Sequence, residues 1–317
     1  MLFYTAKKQM RACGENNKTN KCKAKQFLNR PYRFLIPIHL DCEVCHNLIH
    51  SFKQLLLKLC NIAQIIKKDM KEYGLIGFPL SHSFSQKYFT DKFLKEGIKD
   101  TVFFNFPLRK IDELPALFSS HPLLKGLAIT IPHKKNIIPY LYKSDETVSI
   151  IGACNCVKIT DDKLFGYNTD AIGFEKSVIK KLLPHHTKAL ILGTGGASAA
   201  VEFVLQKLNI TYSFVSRNKD VSKNIFGYDD LNKELMDEYS VVINCTPLGT
   251  YPDVANAPAI PFELLTPMHY VFDLVYNPPL TKLLSLAKEK GCITENGYDM
   301  LVYQAEENWR IWNAEFN

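Results

Sequence analysis

Two residues of this chain could pass a proton to and from a hydroxyl group. Lys134 closes the run Thr130-Ile-Pro-His-Lys134, and Asp170 closes Asn168-Thr-Asp170. Each run follows an apolar stretch that reads as a buried strand, and Ala153-Cys-Asn155 lies between them. A lysine and an aspartate beside one polyol can act as a general acid/base at its oxygen. Ser83-Phe-Ser85 comes before this pair, and a glycine loop of the dinucleotide-binding type, Gly193-Thr194-Gly195-Gly196-Ala197-Ser198, comes after it. The loop could hold a cofactor that takes the hydride, so the order of the motifs points to oxidation or reduction of an alcohol. Taken singly, each residue has a plainer reading. Lys134 fits a surface lysine, Asp170 an N-cap for the helix after it, and Ser83 a simple helix cap.

The elements that must position these residues alternate. Strands are expected at 73–78, 101–106 and 126–131, with helices at 85–96 and 111–118 between them. A polar stretch runs to Gly152, and strands at 156–159 and 163–167 pair as a hairpin around Thr160-Asp-Asp162. A linking helix is expected at 173–183. The strand at 188–192 runs directly into the glycine loop, then a helix at 199–208 and a strand at 211–215. This is one βαβ unit, the setting in which the glycines admit a pyrophosphate to backbone N–H groups at a helix N-terminus. Further strands at 241–244 and 270–274, a helix at 281–290 and a last helix at about 300–313 complete the reading. The fold class is α/β. Two α/β domains are expected, the first with a mostly parallel sheet and the second Rossmann-like and dinucleotide-binding. The divisions are an extension at 1–69, a substrate domain at 70–172, a cofactor domain at 173–294, and a C-terminal helix at 295–317 that returns to the substrate domain.

The end of the second cofactor strand selects the nucleotide. An NAD site places an acidic residue there for the ribose 2′-hydroxyl. This chain has Ser216-Arg217-Asn218-Lys219, with Asp220 just past the useful position. A guanidinium there suits a 2′-phosphate, so NADP is the expected cofactor. The alternative is a solvated turn.

Charge is concentrated at one end. Residues 1–69 hold 13 Lys/Arg against 4 Asp/Glu, while the remainder holds 26 against 28, so the net +7 belongs to the N-terminal segment. Five of the nine cysteines (Cys13, Cys22, Cys42, Cys45 and Cys60) lie there too. Cys42-Glu-Val-Cys45-His46 has the form of a haem-attachment motif, without the export signal that this needs, or of half a zinc site, for which His39 and His50 are available but not at a convincing spacing. An amphipathic helix is expected at about 47–68. Met70 precedes the first strand directly, so the upstream residues read as an arm outside the catalytic fold. Apolar content of 46% is that of a soluble globular protein. No apolar run approaches the ~18 residues of a membrane span. The expected setting is the cytoplasm, with a small-molecule substrate, no nucleic acid, no membrane, no metal, and a monomer or homodimer.

Residues 70–317 resemble the shikimate dehydrogenase family, which interconverts 3-dehydroshikimate and shikimate with NADPH. The resemblance rests on the motifs above together with Asn244-Cys-Thr246, Asp273-Leu-Val-Tyr276-Asn-Pro and Asn296-Gly297-Tyr-Asp-Met-Leu-Val-Tyr-Gln304. It implies that Lys134 and Asp170 form the catalytic pair. Ser83 and Ser85 would bind the substrate carboxylate, and Thr130, Asn155, Asp170, Tyr276 and Gln304 the rest of the substrate. Gly193, Thr194, Gly195, Gly196, Ala197, Ser216, Arg217, Asn218 and Thr246 would bind the cofactor, as would Leu274 and Gly297 through their backbones. His133 stands where the family often has an aromatic residue. Three alternatives remain open. One is a quinate/shikimate dehydrogenase using NAD or NADP. Another is an inactive homologue that senses NADP or a metabolite. The third is a nucleic-acid-binding protein led by the basic arm, against which the acidic balance after residue 70 argues.

Overall fold

The chain divides at Asp69/Met70. The computed structural model describes residues 50–55, 57, 70–80 and 83–315. Residues 50–55 and 57 are helical and exposed. The rest of the helix expected at 47–68, and the Cys42–Cys45–His46 motif, lie outside the described residues.

The first sheet has the order β2-β1-β3-β5-β6-β4. Its strands are β1 (Lys71–Gly77), β2 (Thr101–Pro107), β3 (Leu124–Ile129), β4 (Lys143–Ser144), β5 (Cys156–Thr160) and β6 (Lys163–Tyr167). Pairings β1/β2, β1/β3 and β4/β6 are parallel; β3/β5 and β5/β6 are antiparallel. The hairpin β5–β6 turns on Asp161 and Asp162 at φ 50° and 57°, the left-handed pair that a two-residue turn requires. Helix α1 (Phe84–Glu96) follows β1, α2 (Leu114–Ser120) follows β2 after a 3-10 turn, and the short α3 (His133–Asn136) follows β3. Helix α4 (Glu146–Ile151) is capped by Asp145, which accepts from Val148 N. Helix α5 (Thr169–Val178) leaves β6.

The second sheet is wholly parallel, in the order β12-β11-β10-β7-β8-β9. It comprises β7 (Lys188–Leu192), β8 (Thr211–Val215), β9 (Ile225–Phe226), β10 (Val241–Asn244), β11 (Tyr270–Asp273) and β12 (Ile293–Asn296). Numbered within the sheet this is 3-2-1-4-5-6 read from β9, the doubly wound order whose reversal point opens beside the first strand. Helices α6 (Ser198–Lys207), α7 (Lys233–Glu238) and α8 (Lys282–Glu289) cover it. Leu190, Ile191, Leu192, Val242, Ile243, Val271 and Phe272 are fully buried, as expected of strands covered on both faces.

The last helix, α9 (Tyr298–Asn313), packs on the first sheet. Trp312 donates Nε1–H to Val157 O at 3.0 Å and stacks on Tyr73 at 4.9 Å. Gly126 on β3 makes room for the indole, since a Cβ there would sit 2.4 Å from it. Gly173 does the same between α5 and α9: its Cβ would lie 2.5 Å from Met300 O. That close approach brings Gln304 of α9 to the N-terminal end of α5.

Several expectations are corrected. The helix placed at 173–183 starts four residues earlier, because Asn168 caps it by accepting from Ala171 N at 3.2 Å. Asp170 is therefore not the N-cap. The polar stretch before Gly152 contains β4 and α4, and β9, α7 and β12 were also not anticipated; each is six residues or fewer, too short to show periodicity. The boundaries 172/173 and 294/295 fall within α5 and β12.

Candidate active site

Asp170 lies in the first turn of α5, where the positive end of the helix dipole favours a carboxylate. Lys134 lies in α3, just after β3. Their side chains meet: Lys134 donates Nζ–H to Asp170 Oδ2 at 2.6 Å. The second carboxylate oxygen, Oδ1, accepts from Asn155 Nδ2 at 2.9 Å. Side-chain exposures are 27% for Lys134 and 17% for Asp170, so one rim of the pair stays open. Backbone bonds hold the carriers in register. Cys154 N–H reaches Lys134 O at 2.8 Å, and Asn155 N–H reaches Tyr167 O at 3.1 Å.

Asn155 is the hub. Its Oδ1 accepts from Thr169 N at 2.6 Å, and its Nδ2 also faces Thr169 Oγ1 at 3.0 Å and Gln304 Oε1 at 3.5 Å. Thr169 donates its hydroxyl to Asn308 Oδ1 at 2.6 Å, and Asn308 Nδ2 reaches Gln304 Oε1 at 3.4 Å. Asn155, Thr169, Gln304 and Asn308 are all buried. The lysine–aspartate pair thus rests on a closed amide network, the kind of support that fixes a reacting group in place. The Gln304 Nε2 amide and the Thr130 hydroxyl have no hydrogen-bond partner among the described residues.

A second group lies at the start of α1. Ser83 is its N-cap residue, yet its hydroxyl makes no capping bond, and Oγ is buried without a partner among the described residues. Ser85 follows in the first turn. Phe84 between them meets the Tyr276 ring edge-on at 6.0 Å. Burial pushes the Tyr276 phenol above its ordinary pKa, so this hydroxyl stays protonated as a donor. No hydrogen bond directly joins this group to the Lys134 network.

The glycine loop is bare backbone. Gly193 has φ 96°, and a Cβ there would lie 2.9 Å from Thr246 Cγ2. Cβ atoms added at Gly195 and Gly196 would meet nothing within 4 Å and would project into open space. The N–H groups of Thr194 to Ala197 have no hydrogen-bond partner among the described residues. A cavity of about 440 Å³ is lined by Thr194, Gly195 and Gly196 on one side and by Lys135 and Ala153, neighbours of Lys134 and Asn155, on the other. Donors, space and strand order fit a dinucleotide pyrophosphate.

Arg217, two residues past β8, is exposed and has no ion pair among the described residues. Its neighbours are committed elsewhere. Lys219 pairs with Asp230 at 2.5 Å, and Asp220 accepts from Ser222 at 2.6 Å and pairs with Lys223 at 3.0 Å. Ser216 Oγ accepts from Asn218 N at 3.2 Å and shapes this turn. Thr246 donates to Asn244 Oδ1 at 2.7 Å. Gly297 lets β12 approach Leu274, whose carbonyl oxygen would lie 2.1 Å from an added Cβ.

With this geometry in place, comparison with known proteins is informative. The family model for the shikimate dehydrogenase substrate binding domain matches residues 75–157. A shikimate dehydrogenase (NADP(+)) of Methanococcus maripaludis is 36% identical over 281 residues, covering 79% of this chain and 94% of the relative. The chain belongs to the shikimate dehydrogenase family. A crystal structure of a shikimate dehydrogenase in complex with NADP+ superposes with a TM-score of 0.67 at 32% identity, over 78% of this chain and 92% of that one. A quinate dehydrogenase of Corynebacterium glutamicum in complex with NAD gives 0.68 at 25% identity, over 77% and 94%.

Within this family chain, two buried groups had no sequence signal as part of the site. Thr169 and Asn308 complete the network under Asp170; Asn308 stands four residues after Gln304, one helical turn along the same face. Asp273, fully buried at the end of β11, accepts from Asn244 Nδ2 at 2.9 Å, Val275 N at 3.0 Å and Thr281 Oγ1 at 2.6 Å. It ties the strand ends that carry Thr246 and Leu274.

Proposed function

We propose that this chain catalyses the NADP-dependent, reversible reduction of 3-dehydroshikimate to shikimate. Lys134 serves as general acid/base and Asp170 as its partner. The direct bonding of Lys134, Asp170, Asn155 and Gln304, with Lys135 and Ala153 of the same segments lining the glycine-loop cavity, carries this reading. NADPH, held at the glycine loop, would supply the hydride for the carbonyl carbon. The Lys134 ammonium gives its proton to the carbonyl oxygen as charge develops there, and in the oxidative direction the neutral amine takes it back from the hydroxyl. Asp170 keeps the ammonium oriented and accepts a hydrogen bond from a neighbouring substrate hydroxyl. Thr130, Asn155 and Gln304 bind the hydroxyls. Ser83, Ser85 and Tyr276 donate to the carboxylate.

On the cofactor side the assignment is Gly193 to Ala197 for the pyrophosphate and Ser216, Arg217 and Asn218 for the 2′-phosphate. Thr246, Leu274 and Gly297 border the nicotinamide end. We adopt the division into a substrate domain that includes the C-terminal helix and a cofactor domain between its two parts, with the boundaries moved from 172/173 and 294/295 out of α5 and β12. No helix among the described residues is long and apolar enough to cross a membrane. We assign the enzyme to the cytoplasm as a monomer or homodimer. A quinate/shikimate dehydrogenase using NAD or NADP is the second reading, favoured by the likeness to the NAD-bound quinate dehydrogenase. The free Arg217 guanidinium argues for the first.

The test is Lys134→Ala. We expect kcat to fall roughly 10²-fold or more, the usual cost of losing a positioned proton-transfer group. Calorimetric binding of shikimate and NADP should stay close to wild type. Near-normal kcat would remove Lys134 from this role.

A further inference from the structure

Ser83-Phe-Ser-Gln86 has the S-x-x-Q form of a capping box. In that motif the first side chain accepts from the N–H of the fourth residue, while the fourth side chain turns back to the N–H of the first. The position is right, since Ser83 is the N-cap of α1 with φ −66° and ψ 121°. Neither bond forms. The Ser83 N–H goes instead to Leu80 O at 3.2 Å. The Gln86 side chain turns toward β2, where its Oε1 accepts from Asn105 Nδ2 at 2.8 Å. Ser83 Oγ and Asn105 Oδ1 are both buried without partners among the described residues. The N–H groups of Phe84, Ser85 and Gln86 also lack partners among the described residues.

Elsewhere in this fold, available caps are used. Asp145, Asn168, Asn232 and Thr281 each accept from an N–H in the first turn of their helices. Helix α1 has a complete capping sequence and, among the described residues, leaves its end open. A buried hydroxyl and a row of buried or half-buried N–H groups are costly without a partner, and an anion is the partner that this end of a helix favours.

We propose that Asn105 is a positioning residue for the substrate carboxylate: by holding Gln86 against β2, it keeps the Ser83 hydroxyl and the first turn of α1 uncapped. The proposal rests on the functional reading above. Without the Asn105 amide, the Gln86 side chain is free to turn back and close the capping box with Ser83, which engages the Ser83 hydroxyl with the Gln86 N–H and withdraws both from the carboxylate. That competition weakens ground state and transition state equally, so it appears in KM and not in kcat.

Four variants of the full chain test this: Asn105→Leu, Asn105→Ser, Gln86→Met and the double variant Asn105→Leu/Gln86→Met. Asn105→Leu should raise KM for shikimate roughly tenfold, the scale of one hydrogen bond to a charged group, with kcat and KM for NADP near wild type. Gln86→Met alone should leave KM for shikimate near wild type. Combined with Asn105→Leu it should restore KM, because no amide remains to compete. If Asn105→Leu does not fold by circular dichroism, Asn105→Ser and its double variant with Gln86→Met are read in the same way. An unchanged KM for shikimate in a folded Asn105 variant overturns the proposal. So does a raised KM that Gln86→Met fails to restore, or a joint loss of kcat and both KM values, which marks Asn105 as structural only. Wild-type protein that does not oxidise shikimate overturns the functional reading itself, and is distinguished from these outcomes in the same assay.

Discussion

In the first sheet the reactive groups are side chains bonded to one another; in the second they are backbone amides and one unpaired guanidinium. Lys134, Asp170, Asn155, Thr169, Gln304 and Asn308 form a continuous network across α3, the residue before β5, α5 and α9. Around Gly193–Ser198 the donors are N–H groups fixed by the strand–turn–helix path, and Arg217 has no ion pair among the described residues. On the proposed function, the contrast follows from the chemistry assigned to each half. Proton transfer needs a side chain held to a fraction of an ångström, so its neighbours are locked. Holding a pyrophosphate needs several weak donors in an arc, which the backbone supplies without any particular side chain. Changes in the first half should therefore disturb turnover or substrate binding, and changes in the second, Tyr276 apart, should disturb cofactor binding or choice.

The sharpest break should come at Arg217. Arg217→Ala removes a charge-assisted bond to a 2′-phosphate, so KM for NADP should rise roughly ten- to hundredfold. KM for NAD should barely move, and the preference between them should narrow. Because the guanidinium is exposed, the difference should also shrink at high salt. Equal loss with both cofactors would mean that Arg217 does not read the phosphate.

Ser83→Ala should act on the other half and more modestly. A lost hydrogen bond to a carboxylate present throughout the reaction raises KM for shikimate about tenfold and spares kcat. If KM for shikimate is unmoved, Ser83 contributes only to the start of α1.

The legible and illegible parts of the sequence divide along the same line. The βαβ unit around Gly193 could be read because strand, glycine turn and helix are local and periodic. Strands β7, β8 and β10 match the expected spans at 188–192, 211–215 and 241–244. Lys134 and Asp170 could be singled out because each closes a short motif after a strand. Their wiring could not. Asn308 meets Thr169 across 139 residues of sequence, and only the packing of Gly173 against Met300 brings α9 that close. Asn168 was quoted as part of a motif, but its capping role, which moves the helix start back to Thr169, depends on its bond to Ala153 O at 2.8 Å. Ser83 shows the opposite failure: alone it reads as a simple helix cap, and its hydroxyl makes no capping bond.

The smallest effect concerns Asp273, the buried tie of the cofactor sheet. Burial raises its carboxyl above the ordinary carboxylate pKa, against the lowering effect of the bonds from Thr281, Val275 and Asn244. A carboxyl whose pKa is raised on folding contributes stability below the unfolded value of about 3.9. That contribution is lost as pH rises through the folded value. Asp273→Asn cannot titrate, so thermal melts should show the variant gaining on wild type as pH rises from about 4. A difference that moves the other way would contradict the raised carboxyl.

The most direct test of the central claim is steady-state oxidation by the full chain of shikimate and of quinate, each with NADP and with NAD. The account predicts the highest kcat/KM for shikimate with NADP, with quinate and NAD each lowering it. A preference for quinate with NAD, or no turnover of either alcohol with either cofactor, would contradict it.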